Sequence, residues 1–142
     1  MKAPGTTSRL RFVDHTETYG PKVIEKIVRS IQIRSCLDIG AGSGRDLSIV
    51  KKNHPNCALW AVDFRPSNEN LIRLGCKILP LDIERDGIPV PDESIDLVVA
   101  NHTMEHVKEI YWINHEVFRV LSIGGYFVIG VPNLLALHNR IL

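Results

Sequence analysis

The run Cys36-Leu37-Asp38-Ile39-Gly40-Ala41-Gly42-Ser43-Gly44-Arg45-Asp46 constrains this chain more than any other segment. An apolar stretch enters three glycines at alternate positions, and a helix-compatible stretch, Arg45 to Asn53, follows. Glycine takes positive φ without steric cost and lets a ligand approach the backbone, so the pattern predicts a tight strand-to-helix turn. The amides that open the following helix have no intrahelical partners and favour an anionic ligand group. A glycine turn serves several ligands, so its neighbours must discriminate among them.

The rest of the chain alternates in the same way. Gly20-Pro21 opens a segment whose Val23, Ile24, Ile27, Val28 and Ile31 follow helical spacing. Five short apolar runs come next: Ser35 to Ile39, Ala58 to Val62, Cys76 to Leu79, Ile95 to Ala100 and Tyr126 to Val131. Flanked by Gly, Pro or Asp, they have the look of strands buried on both faces. Helix-compatible stretches lie between them at Arg45 to Asn53, Ser67 to Leu74 and Met104 to Leu121. The last of these is expected to present Val107, Ile110, Val117, Phe118 and Leu121 on one broad face. Pro80 to Ser94, with Pro80, Gly87, Pro89 and Pro91, is expected to be loop with one short helical turn. Strands alternating with helices predict an α/β fold with right-handed crossovers and a parallel sheet.

At 142 residues, 44% apolar and 23% charged, the chain has the material for one domain with a sizeable core. The reading divides it into an N-terminal arm over 1–17, the domain over 18–133 and an apolar tail over 134–142. The run Cys57 to Val62 is far short of the roughly twenty residues that a membrane span needs. Met1 to Thr7 carries no apolar leader, so the cytoplasm is the expected compartment. Cys36, Cys57 and Cys76 form no Cys-x-x-Cys pair and read as small buried residues in a reducing environment. Seventeen Lys and Arg against sixteen Asp and Glu leave a charge of +1, and Lys51-Lys52 is the one adjacent basic pair. Nucleic acid as an obligate partner is therefore disfavoured.

Three ligands compete for the glycine turn. A P-loop needs Gly-Lys-Ser/Thr at the helix entry, whereas Gly44 is followed by Arg45-Asp46, and Asp46 would repel phosphate. The dinucleotide fingerprint G-x-G-x-x-G requires its third glycine where Arg45 stands, which leaves an NAD(P)-linked oxidoreductase as a weak reading. Asp63 closes the second apolar run twenty-one residues after Gly42, where a carboxylate can accept from both ribose hydroxyls of either cofactor.

Asp38-x-Gly40-x-Gly42-x-Gly44 resembles motif I of the class I (Rossmann-like) S-adenosylmethionine-dependent methyltransferases, the third candidate. The resemblance extends from about Gly20 to Asn133. Gly87 through Pro91-Asp92-Glu93-Ser94-Ile95-Asp96-Leu97-Val98-Val99 is similar to the approach to the fourth strand in the small-molecule-type branch. Glu116-Val117-Phe118-Arg119-Val120-Leu121 and Gly124-Gly125-Tyr126-Phe127-Val128-Ile129 are similar to its fifth-strand entry, with Ser122-Ile123 in place of the usual Lys-Pro.

The resemblance implies a Rossmann-like three-layer sandwich with a mostly parallel sheet of order 3-2-1-4-5, and S-adenosyl-L-methionine as cofactor. It implies that Asp38 serves the cofactor's ammonium, while the amides around Gly40, Gly42 and Gly44 serve its carboxylate. It gives Asp63 the ribose, Phe64 a packing contact with the adenine, Asp82 the adenine amino group and Ile83 an adjacent amide and apolar contact. Asn101 is counted with the cofactor site. It also implies two further strands after Pro132-Asn133, and these strands 6 and 7 are missing from the 142 residues. A fifth strand bearing Tyr126 to Ile129 would then need a cover. The tail from Leu134 to Leu142, a second copy forming a homodimer, or the remainder of a longer protein would supply one.

The implied reaction is SN2 transfer from a sulfonium methyl, in which positioning and desolvation supply much of the rate. The acceptor side is expected in Asn101-His102-Thr103-Met104-Glu105-His106. This is not the Asn/Asp-Pro-Pro-Tyr/Phe motif of amino-directed nucleic-acid methyltransferases, so a small-molecule acceptor is favoured. His102 is the candidate base, since an imidazole titrates near working pH. Glu105-His106 more naturally anchors the next helix, and no metal site is assigned to this cluster with His115. Tyr111 and Trp112 read as helix core or interface, and Phe12 and Tyr19 as residues that fold over the cofactor. The alternative from another class is a non-catalytic cofactor-binding or interaction module.

Overall fold

The computed structural model describes residues 20–64 and 69–132. The arm over 1–17, Phe12, Tyr19 and the tail from Leu134 lie outside them. β1 (Ser35–Ile39) is buried at all five positions and is the centre of a five-stranded sheet. Beside it run β2 (Ala58–Val62) and then β3 (Lys77–Leu79); on the other side run β4 (Ile95–Asn101) and then β5 (Leu121–Gly130). Every pairing is parallel, and the order is β3-β2-β1-β4-β5. Parallel neighbours need crossovers, which α2 (Arg45–Asn53), α3 (Glu69–Arg73) and α4 (Ile110–Val120) provide.

The alternation of side chains along β1 explains the three layers. Cys36 faces a core built with Ile24 and Val28 of α1 (Gly20–Ser30), Leu47 and Val50 of α2, and Leu71 of α3. Leu37 and Ile39 face the other core, with Ile113, Val117 and Val120 of α4 and with Ile88 and Val90 of the preceding loop. Each fully buried Leu, Ile or Val contributes about 1.5–3 kcal/mol relative to exposure, which is why apolar runs on both faces outcompete local propensity here.

Three expectations need correction. Met104 to Leu121 is not one helix. A 3-10 turn at Met104–His106 ends in extended backbone at Val107 (φ −103°, ψ 151°), and α4 begins only at Ile110. The Glu84 carboxylate accepts the Lys108 and Glu109 amides there, holding the chain away from helical continuity. The buried stripe of α4 is Ile113, Glu116, Val117 and Val120, whereas Ile110 and Phe118 are exposed (43% and 74%). Leu121 has left the helix (ψ 130°) and pairs with Ile95, so β5 starts five residues before Tyr126. Ser122 to Gly125 bulge out opposite Asp96 before regular pairing resumes at Leu97 and Tyr126. Gly124, at φ +82°, permits that bulge.

The Pro80 to Ser94 segment is irregular, and the Arg85 and Asp86 amides both donate to the Asp82 carbonyl (2.9 and 2.7 Å), making the single helical turn expected. None of the described helices is long and apolar enough to cross a membrane.

Candidate cofactor cleft at the carboxyl edge of the sheet

Parallel strands all end on one edge, and crossovers on opposite faces leave a crevice where the strand order reverses. Here that edge holds a cleft of about 390 Å³ lined by Gly40, Val62, Asp63, Phe64, Leu81, Asp82, Ile83, Glu84, Thr103 and Val107. The volume lies within the range of small-ligand sites.

The glycine turn forms one wall. The Gly40 and Ala41 amides both donate to the Val62 carbonyl, at 2.8 and 3.2 Å, which folds the turn back over the end of β2. Gly40 has φ +74°, and a Cβ there would fall 2.3 Å from Thr103 Oγ1. That hydroxyl donates to the Ile39 carbonyl at 2.8 Å, so it has little freedom to retreat. Gly44, at φ +73°, is also tightly packed, since Leu71 Cδ2 would be 2.6 Å from an added Cβ. The Gly42 amide donates to Asp63 Oδ2 at 2.8 Å and fastens the turn to the end of β2.

Beneath the turn lie two buried carboxylates. Asp38 is 3% exposed. Burial pushes its carboxyl well above the usual range, and the charges of Asp46 and Asp63 push it further, with Arg45 opposing. Asp46, on the first turn of α2, is 7% exposed. Its Oδ2 accepts from Asn101 Nδ2 at 2.9 Å, while Oδ1 has no hydrogen-bond partner among the described residues. Arg45 Nε lies 3.7 Å from that oxygen, beyond hydrogen-bond reach. Asn101 is itself held between elements. Its Oδ1 occupies the space a Cβ on Gly130 would need, with 2.1 Å between them, and its amide lies beside Gly20 of α1.

Of the sequence-predicted residues, Gly40, Asp63, Phe64, Asp82 and Ile83 line the cleft. Phe64 is 71% exposed at its mouth. Asp82 already accepts the Glu84 amide on Oδ1 (3.1 Å) and has Arg85 Nε 3.6 Å from Oδ2. Asp38, Gly42, Gly44 and Asn101 stand behind the lining, tied to it through the turn and through Asp63. His102 is not brought to the cleft. It has positive φ (56°), its amide donates to the Gly130 carbonyl at 2.8 Å, and its half-exposed ring has Nδ1 3.4 Å from Glu105 Oε1. Glu105 is also 3.9 Å from His106 Nε2. Among the described residues, no group of three or more His, Cys, Asp or Glu side chains can hold a metal ion.

Sequence reasoning placed Thr103 only within the acceptor-side segment, without a role, and missed Glu84 and Asp46 as parts of this site. Thr103 props the glycine turn, and Glu84 joins the loop after β3 to the entry of α4. The two amides hold the Glu84 carboxyl below its ordinary range. Asp46 was visible only as a residue that opposes phosphate. Its apolar flank Leu47, fully buried, was the available sign that this face of α2 turns inward.

The family described as "Methyltransferase domain" matches residues 37–129, more than half of the chain. Among curated relatives, the trans-aconitate 2-methyltransferase of Enterobacter sp. (strain 638) is 22% identical over 104 residues, which is 71% of this chain and 40% of that protein. Among solved structures, an S-adenosylmethionine-dependent methyltransferase from Archaeoglobus fulgidus has a TM-score of 0.64 at 22% identity, covering 85% of this chain and 57% of that one. Coclaurine N-methyltransferase bound to N-methylheliamine and S-adenosylhomocysteine has a TM-score of 0.63 at 21% identity, over 77% of this chain and 34% of that one. The chain thus spans less than two thirds of each of these proteins. From β1 to nearly the end of β5 its sequence follows one family's pattern on that family's fold, and it belongs to the methyltransferase domain family.

Proposed function

We propose that this chain binds S-adenosylmethionine in the cleft and supports transfer of its methyl group to a small molecule. The observation that carries the reading is the pairing of a glycine turn with buried carboxylates beneath it. An amino-acid ligand end is cationic as well as anionic, and Asp38 suits its ammonium where a phosphate would be repelled. The turn amides suit its carboxylate. Asp63 serves the ribose hydroxyls, Asp82 the adenine amino group, Ile83 and Phe64 the faces of the base, and Asn101 braces the amino-acid end.

When bound, S-adenosylmethionine supplies an activated methyl group on a sulfonium. The protein's part is to hold the acceptor in line with that methyl and keep water away from it. His102 follows the end of β4 but does not line the cleft, so it is proposed as base only for an acceptor that keeps its proton and extends past the cleft to the His102 ring beside Glu105. A small-molecule acceptor is supported by the names of the trans-aconitate and coclaurine enzymes and by the balanced charge of the chain. The cytoplasm is supported by its cysteines, all of them free thiols and two of them buried. The domain is taken to run over 18–133, between the arm and the tail. A second copy would pair along β5, where Tyr126 and Ile129 are half exposed.

Isothermal titration with S-adenosylmethionine and S-adenosylhomocysteine tests the cofactor. Binding is expected, and none at millimolar ligand by the folded chain would overturn it. Asp63→Ala should weaken binding by roughly tenfold or more, the equivalent of about 1.4 kcal/mol. Unchanged affinity would remove Asp63 from the ribose.

A further inference from the structure

We propose that Glu84 is a positioning residue, a strap that holds the two walls of the cleft at the spacing the ligand needs. This rests on the cofactor reading above and extends it to the wall that leads into α4.

The walls come from segments far apart in the chain. Leu81, Ile83 and Glu84 line the cleft from the loop after β3, and Thr103 and Val107 line it from the segment after β4. The apolar members of both walls, Leu81, Ile83 and Val107, are only partly buried against the core on the α4 face. Among the described residues, no backbone hydrogen bond joins 81–86 to 103–109. The bonds that join them are those that Glu84 Oε1 accepts from the Lys108 amide and, at 3.1 Å, from the Glu109 amide.

Both ends of the strap are firmly set. The Asp82 amide donates to Asp86 Oδ2 at 2.8 Å, and the Glu84 amide donates to Asp82 Oδ1 at 3.1 Å. With the Arg85 and Asp86 amides on the Asp82 carbonyl, the loop is a self-bonded turn from which Glu84 projects. On the other side, the Ile113 amide donates to the Glu109 carbonyl at 3.0 Å, and Ile113, Val117 and Val120 seat α4 in the core. Thr103 pins the far end of the segment to β1. Val107 lies between these two fixings in extended backbone, next to the residue whose amide the strap takes.

Helix capping alone does not account for this arrangement. The amides that open a helix are ordinarily taken by a side chain at the N-cap position itself. Glu109 stands there and makes no side-chain cap. The acceptor is instead brought in from 24 and 25 residues away, and from a residue that lines the cleft. The dipole of α4 favours a carboxylate at this end. A ligand that touches Ile83 on one wall and Val107 on the other fits only while the strap is made. Binding and the strap therefore stabilise each other, as linkage requires.

Titration and hydrogen exchange test the strap, with S-adenosylhomocysteine as the probe. Glu84→Ala removes the acceptor, Glu84→Gln keeps a carbonyl oxygen in its place, and melting curves check that both fold. In the unaltered chain the probe should slow exchange at the Lys108 and Glu109 amides by roughly tenfold more than at Glu93 and Ser94. Those reference amides pair with the carbonyls of Arg119 and Val120 at the opposite edge of the sheet. Glu84→Ala should bind the probe about tenfold more weakly and lose the extra slowing, while Glu84→Gln should bind about threefold more weakly and keep part of it. Slowing no greater at Lys108 and Glu109 than at the reference amides overturns the strap and leaves the cofactor reading intact. Unchanged affinity in Glu84→Ala does the same. Should Glu84→Ala not fold, Glu84→Gln carries the test, and unchanged affinity with unchanged slowing overturns the strap. No binding of the probe by the unaltered chain overturns the cofactor reading and the strap with it.

Discussion

Two buried acidic sites lie on opposite faces of the same sheet, and they are built on opposite principles. On the α4 face, Glu116 is 3% exposed and fully partnered. Its Oε2 accepts from the Ile88 amide and Arg119 Nη2, both at 2.7 Å, and Oε1 accepts from Arg119 Nε at 2.9 Å. Arg119 also donates to the carbonyls of Ile88 and Val90 and to Asp92, fastening the loop before β4 to the helix. On the α2 face, Asp38 and Asp46 are also buried, but among the described residues no cation is placed on them as Arg119 is on Glu116. A closed network of this kind specifies a fold. An open one leaves free energy to be recovered by a ligand.

The largest expected effect comes from opening the closed site. Glu116→Ala leaves the Arg119 guanidinium and the Ile88 amide without their carboxylate, and should cost about 3 kcal/mol in stability. Urea unfolding would show this as a lower midpoint at unchanged slope. A loss under about 1 kcal/mol would mean that the clamp is incidental and the comparison fails.

A smaller effect of opposite sign is expected at the open site. Asp38→Asn removes a carboxyl whose charged form burial and the neighbouring acids destabilise, so the ligand-free chain should melt about 3 °C higher at neutral pH while binding S-adenosylhomocysteine more weakly. A lower melting temperature would show that Asp38 is stabilised within the fold after all.

The pH dependence sharpens the contrast. Arg119 holds the Glu116 carboxyl below its ordinary value, against the opposing effect of burial. Its contribution to stability is therefore full above the unfolded value of about 4.3 and is lost as pH falls through the folded value. Asp38 is raised, chiefly by burial, so its contribution is full below the unfolded value of about 3.9 and is lost as pH rises from there through the folded value. Stability profiles of Glu116→Gln and Asp38→Asn against the unaltered chain should accordingly diverge toward neutral pH in opposite directions and converge in acid. The smallest effect is expected at Arg45, whose exposed side chain merely screens Asp38. Arg45→Gln should lower ligand-free stability by a few tenths of a kcal/mol, less in high salt.

Much of the fold was legible because its signals are local. β1, α2 and β2 begin and end where the apolar runs and the glycine turn indicate, since burial on both faces and positive φ leave few other solutions. The order of the strands came from resemblance, because parallel pairing leaves no short-range mark. Phe118 was misplaced because an apolar residue between Val117 and Arg119 looks like part of the same stripe, although α4 turns it to solvent. Glu84 and Asp46 were out of reach for a different reason. Their partners, the amides at Lys108 and Glu109 and the amide group of Asn101, lie 24, 25 and 55 residues away, and only the assembled sheet edge brings them together.

The central position of β1 has a kinetic consequence. It pairs with β2 at a separation of 23 residues (Ser35 with Ala58) and with β4 at 61 (Cys36 with Leu97). For flexible loops the longer closure costs about 0.9 kcal/mol more entropy, so β1 and β2 are expected to join first and β4 to arrive later. Asn101 travels with β4. The acid of α2 is thus carried into place early, and the residue that fixes its direction reaches it only when the sheet is nearly complete.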